Sequence, residues 1–212
     1  MNTPQLSGRT GLLGGTFNPV HLGHLHIAQE AMTAFEMERV LLVPNRIPPH
    51  RSDSSSVVDP EHRAAMLELA TASNPRLFVS RIELERAGPS YTVDTVESLL
   101  AEQPAARLCF ITGADSLLRN IWRDLDRLLG MLEVMVCVAR PGFDLGALCG
   151  RLDELGLKNR ERVRTLEAEP YAVSSTEIRR RVAEGLSTQY LVPREVADYI
   201  EKYGLYKNGG MR

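Results

Sequence analysis

The 212-residue sequence has three cysteines, one tryptophan and no long apolar run. Each shortage removes a class of protein. Cys109, Cys137 and Cys149 are far apart and form no Cys-x-x-Cys pair, which argues against a disulfide scaffold or a zinc ribbon. Cys109 and Cys137 sit in apolar runs and read as buried free thiols of a reducing compartment. No stretch approaches the ~20 apolar residues of a membrane span, and the opening residues lack a charged segment followed by an apolar one. The expected location is the cytoplasm, without a membrane partner. Excess charge is missing too: 25 Lys and Arg stand against 27 Asp and Glu, a net charge of −2. A protein without a basic field is not expected to bind nucleic acid. Local clusters at residues 46–51 and 179–181 suit small phosphorylated ligands, or are simply solvated faces. With no repeat, linker or low-complexity tract and 43% apolar residues, one domain over residues 1–212 is expected. Assembly into a homo-oligomer is left open by the sequence.

What is present is an alternation. Apolar runs at residues 10–13, 40–43, 77–84, 107–112, 134–139 and 163–166 read as strands. Helical patterns lie at 22–35, 61–72, 94–102, through Leu117, Trp122 and Leu125, at 144–155, 174–185 and 193–203. Asp59-Pro60 is a helix start, with the cap and the first-turn proline in order. Residues 44–59 carry three prolines and several serines and form a long loop, which in a compact protein is functional or disordered. The spacing predicts an α/β fold: a Rossmann-like, doubly wound, mostly parallel sheet with helices on both faces and a C-terminal helical segment from about residue 174. Ligands of such sheets lie at the carboxyl ends of the strands, where the strand order reverses.

The stretch Gly14-Gly15-Thr16-Phe17-Asn18-Pro19-Val20-His21-Leu22-Gly23-His24 joins the first strand to the first helix. Its glycines let backbone approach a ligand, and a helix start attracts an anion. His21 and His24, three residues apart, can face one phosphate and donate hydrogen bonds to charge that grows in a transition state. Zinc is the other reading of His21, His24 and His26, but His26 points elsewhere and no Cys pair or carboxylate stands at ligand spacing. A dinucleotide-binding oxidoreductase would show Gly-x-Gly-x-x-Gly, which Gly11, Gly14 and Gly15 do not match. Near the C-terminus, Ser174-Ser175-Thr176-Glu177-Ile178-Arg179 places hydroxyls at a helix start and an arginine one turn in. On local chemistry it serves equally as a second phosphate site or as a plain cap.

The first string resembles the His-x-Gly-His signature of the nucleotidyltransferase α/β-phosphodiesterase superfamily, and the second its Ser-Ser-Thr-x-x-Arg signature. Further segments resemble nicotinate-mononucleotide adenylyltransferases across almost the whole chain: Pro44-Asn45-Arg46-Ile47-Pro48-Pro49-His50-Arg51, Ser90-Tyr91-Thr92-Val93-Asp94-Thr95, Gly113-Ala114-Asp115 with Trp122, and Tyr190-Leu191-Val192-Pro193. The resemblance implies an enzyme that transfers the adenylyl group of ATP to nicotinate mononucleotide, releasing pyrophosphate. Mg²⁺ would be carried mainly by the ATP phosphates.

By the same resemblance, His21, His24 and Arg179 are catalytic. Gly14, Gly15, Thr16, Phe17, Asn18, Gly23, Gly113, Asp115, Ser175 and Thr176 join them in binding ATP. Asn45, His50, Arg51, Thr92, Trp122 and Arg140 bind the mononucleotide, with Trp122 stacked on the pyridine ring and Thr92 offering backbone N–H groups to the carboxylate. Taken alone, Trp122 is equally a packing residue, and His50, Arg51 and Arg140 are equally solvated. Related enzymes with nicotinamide mononucleotide or phosphopantetheine as acceptor, and a non-catalytic nucleotide sensor, are the rival readings.

Overall fold

The computed structural model describes residues 5–6, 8–47, 57–119, 122–169 and 171–207. Six strands form one sheet: β1 (Arg9–Gly15), β2 (Arg39–Pro44), β3 (Leu77–Val79), β4 (Arg107–Gly113), β5 (Val134–Ala139) and β6 (Val163–Glu167). All five pairings are parallel and the order is β3-β2-β1-β4-β5-β6. The chain winds outward from β1 to β3, returns to lay β4 on the other side of β1, and winds outward again. The reversal therefore falls between β1 and β4, and the β1 turn opens there.

The described helices are α1 (Leu22–Ala34), α2 (Pro60–Thr71), α3 (Ile82–Glu85), α4 (Thr92–Glu102), α5 (Asp115–Leu118), α6 (Leu125–Met131), α7 (Leu145–Glu154), α8 (Ser175–Ala183) and α9 (Arg194–Lys202). Strand side chains alternate between the two faces of the sheet, and both faces are covered, so the inner strands are largely apolar, whereas the edge strand β6 exposes Arg164, Thr165 and Glu167. Leu13, Val40, Leu42, Cys109, Ile111 and Val136 pack under α1, α2, α8 and α9. Leu12, Leu41, Val43, Leu108, Phe110, Met135 and Cys137 pack under α4, α5, α6 and α7. Asp59 caps α2 by accepting from the Glu61 N–H at 2.8 Å, ahead of Pro60. Cys109 and Cys137 are buried, whereas Cys149 is exposed.

Two expectations from periodicity need correction. Residues 77–84 are not one strand, because β3 stops at Val79 and the chain turns into α3. The Ser80 N–H still reaches Leu42 O at 3.0 Å, but Glu83 is then drawn inward to Thr95, whose hydroxyl donates to its carboxylate at 2.7 Å. The helix expected through Leu117 and Leu125 is broken into α5 and α6. Asp124, at φ 49°, ends the break, and the Trp122 indole N–H folds back onto Ser116 O at 3.0 Å. Trp122 therefore lies on the connection and not on a helix.

Candidate active site

The carboxyl ends of β1 and β2 pair Gly14 with Val43 and Gly15 with Pro44. Beyond them Phe17 adopts φ 48° and folds its ring beneath the turn, 2% exposed. The Phe17 ring would lie 3.0 Å from a Cβ at Gly15, which is why a glycine stands there. His21 is the N-cap of α1 and lies just outside the helix. Its ring stacks on His24 at 3.6 Å between centroids and 22° between planes, and Phe17 meets His24 edge-on at 4.9 Å. Gly23 keeps this stack possible, because a Cβ there would come within 3.1 Å of both His21 Nδ1 and Val173.

The backbone of this turn is less open than the sequence suggests. The His21 N–H donates to His24 Nδ1 at 3.2 Å, the Leu22 N–H to Leu191 O at 3.0 Å and the His24 N–H to His21 O at 3.0 Å. The expected row of free helix-start N–H groups is thus largely occupied. The bond to His24 Nδ1 has a chemical result: that nitrogen is an acceptor, so the neutral ring carries its proton on Nε2. Burial lowers the His21 pKa to about 4. His24 keeps some exposed surface, yet its ring lies between Phe17 and His21, and burial followed by the neighbouring His21 lowers its pKa as well. At neutral pH both rings are uncharged donors.

The second motif docks on this turn. Ser174 caps α8, accepting from the Glu177 N–H at 3.1 Å. With the cap supplied by Ser174, Ser175 Oγ donates to Pro19 O at 2.8 Å. Arg179 Nη1 donates to Asn18 O at 2.8 Å, and its Nη2 to Thr176 Oγ1 at 3.3 Å. Asn18 is 1% exposed, and its amide oxygen accepts from the Val58 N–H at 3.2 Å and the Tyr206 hydroxyl at 2.9 Å. Its side chain therefore braces the turn from within.

The other half of the site adjoins Thr16. The Asn45 N–H donates to Gly15 O at 3.0 Å and its amide to Thr16 Oγ1 at 3.3 Å. The Arg46 N–H donates to Ser90 Oγ at 3.2 Å, and the Ser90 N–H returns to Ile47 O at 3.3 Å. Thr92 opens α4 behind Tyr91, with no side chain capping the helix. Gly113 and Asp115 are exposed at the end of β4, Trp122 packs edge-on against Phe110, and Arg140 is exposed just past β5. The structure brings His21, His24, Ser175, Thr176, Arg179 and Asn45 into one hydrogen-bonded and stacked unit. It sets Arg140 just past the end of β5 and Trp122 on the connection between α5 and α6, against Phe110 of β4, while His50 and Arg51 lie outside the described residues.

A cytidylyltransferase-like family matches residues 12–181. The chain is 46% identical over 202 residues to a probable nicotinate-nucleotide adenylyltransferase of Symbiobacterium thermophilum, covering 95% of this chain and 96% of that one. It is 44% identical to a protein of the same description from Moorella thermoacetica, covering 98% and 95%. The chain belongs to this family, among the nicotinate-nucleotide adenylyltransferases. In fold it is similar to the solved Plasmodium falciparum nicotinic acid mononucleotide adenylyltransferase complexed with NaAD, with a TM-score of 0.74 at 18% identity, covering 94% of this chain and 98% of that chain.

Two buried charged residues bonded to segments around this turn escaped the sequence reading. Arg63, 0% exposed, lies on α2 with its guanidinium among loop carbonyls. The available signal was a charge placed on an apolar stripe, since Met66, Leu67 and Ala70 share its face. Glu83, 7% exposed, accepts from Thr95, and Thr95 Oγ1 in turn accepts from Arg86 Nη2 at 3.0 Å. Burial raises its pKa, opposed by the hydroxyls of Thr95 and Ser90. No sequence pattern marked Glu83, because its alternation reads as strand.

Proposed function

We propose that this chain transfers the adenylyl group of ATP to nicotinate mononucleotide, forming nicotinate adenine dinucleotide and pyrophosphate in NAD biosynthesis. The acceptor phosphate, with a second pKa of about 6, is already an anionic nucleophile at neutral pH and needs no general base. One of its oxygens attacks the α-phosphorus in line; the bond to the α,β-bridging oxygen breaks, and the electron pair leaves with pyrophosphate. Neutral His24, its donor fixed at Nε2, and neutral His21 donate to oxygens whose charge rises during attack. Arg179, Ser175 and Thr176 exchange their present carbonyl and hydroxyl partners for the leaving phosphates. The observation that carries this reading is the stacked histidine pair with one tautomer fixed, on a turn whose Asn18 and Pro19 carbonyls hold Arg179 and Ser175.

The donors gathered here suit an anion, whereas Mg²⁺ takes hard oxygen ligands. Mg²⁺ would therefore be carried by the triphosphate and water and, when bound, would offset charge on the leaving group. The uncapped start of α4 at Thr92 offers N–H groups to the nicotinate carboxylate, which favours the acid over the amide. Trp122 supplies the ring face for the pyridine, and His50, Arg51 and Arg140 hold the acceptor phosphate. Among the described residues no helix is long and apolar enough to cross a membrane, and we place the enzyme in the cytoplasm with its small-molecule substrates.

The test follows pyrophosphate release from ATP and Mg²⁺ with nicotinate mononucleotide, nicotinamide mononucleotide and phosphopantetheine in parallel. Release with the acid and little with the others is expected. Equal use of acid and amide would remove the role given to Thr92, and ATP binding without release on any acceptor would overturn the reaction.

A further inference from the structure

Arg63 brings a charge into the interior at a position exposed to 0%. A buried guanidinium is costly unless its donors meet acceptors, and here those acceptors belong to three separate segments. Nη1 donates to Thr16 O at 2.8 Å, Nη2 to Arg46 O at 3.3 Å and Nε to Val58 O at 3.1 Å. Thr16 is in the histidine turn. Arg46 and Val58 flank the acceptor loop where it leaves and where it returns. Each anchor leads onward: the Arg46 N–H reaches Ser90, two residues before Thr92, and the Val58 N–H reaches Asn18, whose carbonyl holds Arg179. A single rigid, planar fork thus links the nucleotide half to both ends of the acceptor half.

We propose that Arg63 is a positioning residue that couples the two substrate sites: ATP, by fixing the turn at Thr16, fixes Arg46 and Val58 through Arg63 and so tightens acceptor binding. It touches neither substrate. The inference rests on the adenylyl-transfer reading and adds to it a positive coupling between ATP and the mononucleotide, with a named carrier. Lysine keeps the charge but has one nitrogen, which cannot span three carbonyls in this geometry.

Calorimetry would give the dissociation constant of nicotinate mononucleotide with and without an ATP analogue whose α,β bridge is methylene, for the parent protein and Arg63→Lys. The analogue is expected to tighten acceptor binding about fivefold or more in the parent and to leave it nearly unchanged in Arg63→Lys, with each ligand alone binding about as before. A residue that only supports the fold would weaken both ligands and leave their ratio intact. No coupling in the parent, or coupling retained in Arg63→Lys, would overturn the proposal. Amide hydrogen exchange on the parent gives an answer that does not require the variant to fold. The analogue alone should slow exchange of the Arg46, Val58 and Ser90 N–H groups, and unchanged rates there would also overturn it. Pyrophosphate release by the parent separates the two ideas: turnover without coupling removes only Arg63's role, and no turnover with any acceptor removes the reaction.

Discussion

The two halves of the site are built by different means. The nucleotide half is compact and local at its centre: within residues 15–24 the Phe17 ring, the His21–His24 stack and the backbone bonds hold one another, and α8 closes over them. The half we assign to the acceptor has, among the described residues, few bonds between near neighbours. It is assembled from residues far apart, Arg63 and Glu83 beneath, Ser90 and Asn45 between, each bonding a loop backbone or a distant side chain. Chemistry shared by every nucleotidyl transfer can sit on the self-supporting element. Recognition of one acceptor, on the reading proposed above, falls to segments that the fold brings together.

If the first half holds the transition state, removing one donor from it should have the largest effect. His24→Ala is expected to lower kcat by about 10²-fold or more, with KM for the acceptor little changed and the far-UV circular dichroism spectrum intact. Unchanged turnover would end the division drawn above. Gly23→Ala sharpens it further, since its methyl group would press on the His21 ring and Val173 within 3.1 Å. A displaced but chemically intact histidine should cost kcat about tenfold, and steady-state kinetics beside a melting curve would separate misplacement from unfolding.

On the acceptor side, Glu83→Gln preserves size while altering the bonds to Thr95 and Ser90. KM for nicotinate mononucleotide should rise several-fold with KM for ATP unchanged; equal changes in both would erase the distinction. The same variant carries a pH signature. Burial raises the folded-state pKa of Glu83, so its contribution to stability is fully present below the unfolded value and is lost as pH rises through the folded one. Glu83→Gln should flatten that decline in urea midpoints.

The histidines act with the opposite sign and in another window. His21 is depressed to about 4, so its contribution is fully present above about 6.5 and is lost as pH falls through about 4. His21→Gln should remove part of the fall in urea midpoint between pH 7 and pH 4, the smallest of the four effects, and an unchanged pH profile would contradict the buried neutral ring.

How much of this was legible follows the same divide. β5 was read from sequence with its observed ends, because a strand buried on both faces is an uninterrupted apolar run between polar stops. The turn from Gly14 to His24 and the Ser175 helix carried their chemistry in short strings. Residues 77–84 misled because alternation cannot reveal that Glu83 will be drawn to Thr95, twelve residues on. The segment from Leu117 to Leu125 misled because its apolar spacing fits a helix, whereas the indole of Trp122 finds its partner at Ser116 and the chain breaks. Arg63 was visible only as an oddity on an apolar stripe. Its partners at Thr16, Arg46 and Val58 come together only through the fold. Topology predicts Thr92, Trp122 and Arg140 on one rim; in the fold Thr92 opens α4, Trp122 packs on Phe110 of β4 and Arg140 follows β5.

The bond from the Tyr206 hydroxyl to Asn18 ties the histidine turn to the turn that follows α9. During synthesis the histidines leave the ribosome well ahead of Ser175, Arg179 and Tyr206, which follow more than 150 residues later. A nascent chain thus carries the histidine string long before the residues that clasp its turn have been made. Translation that halts after β6 leaves a fragment able to begin its sheet while its nucleotide turn lacks the clasp that would close it.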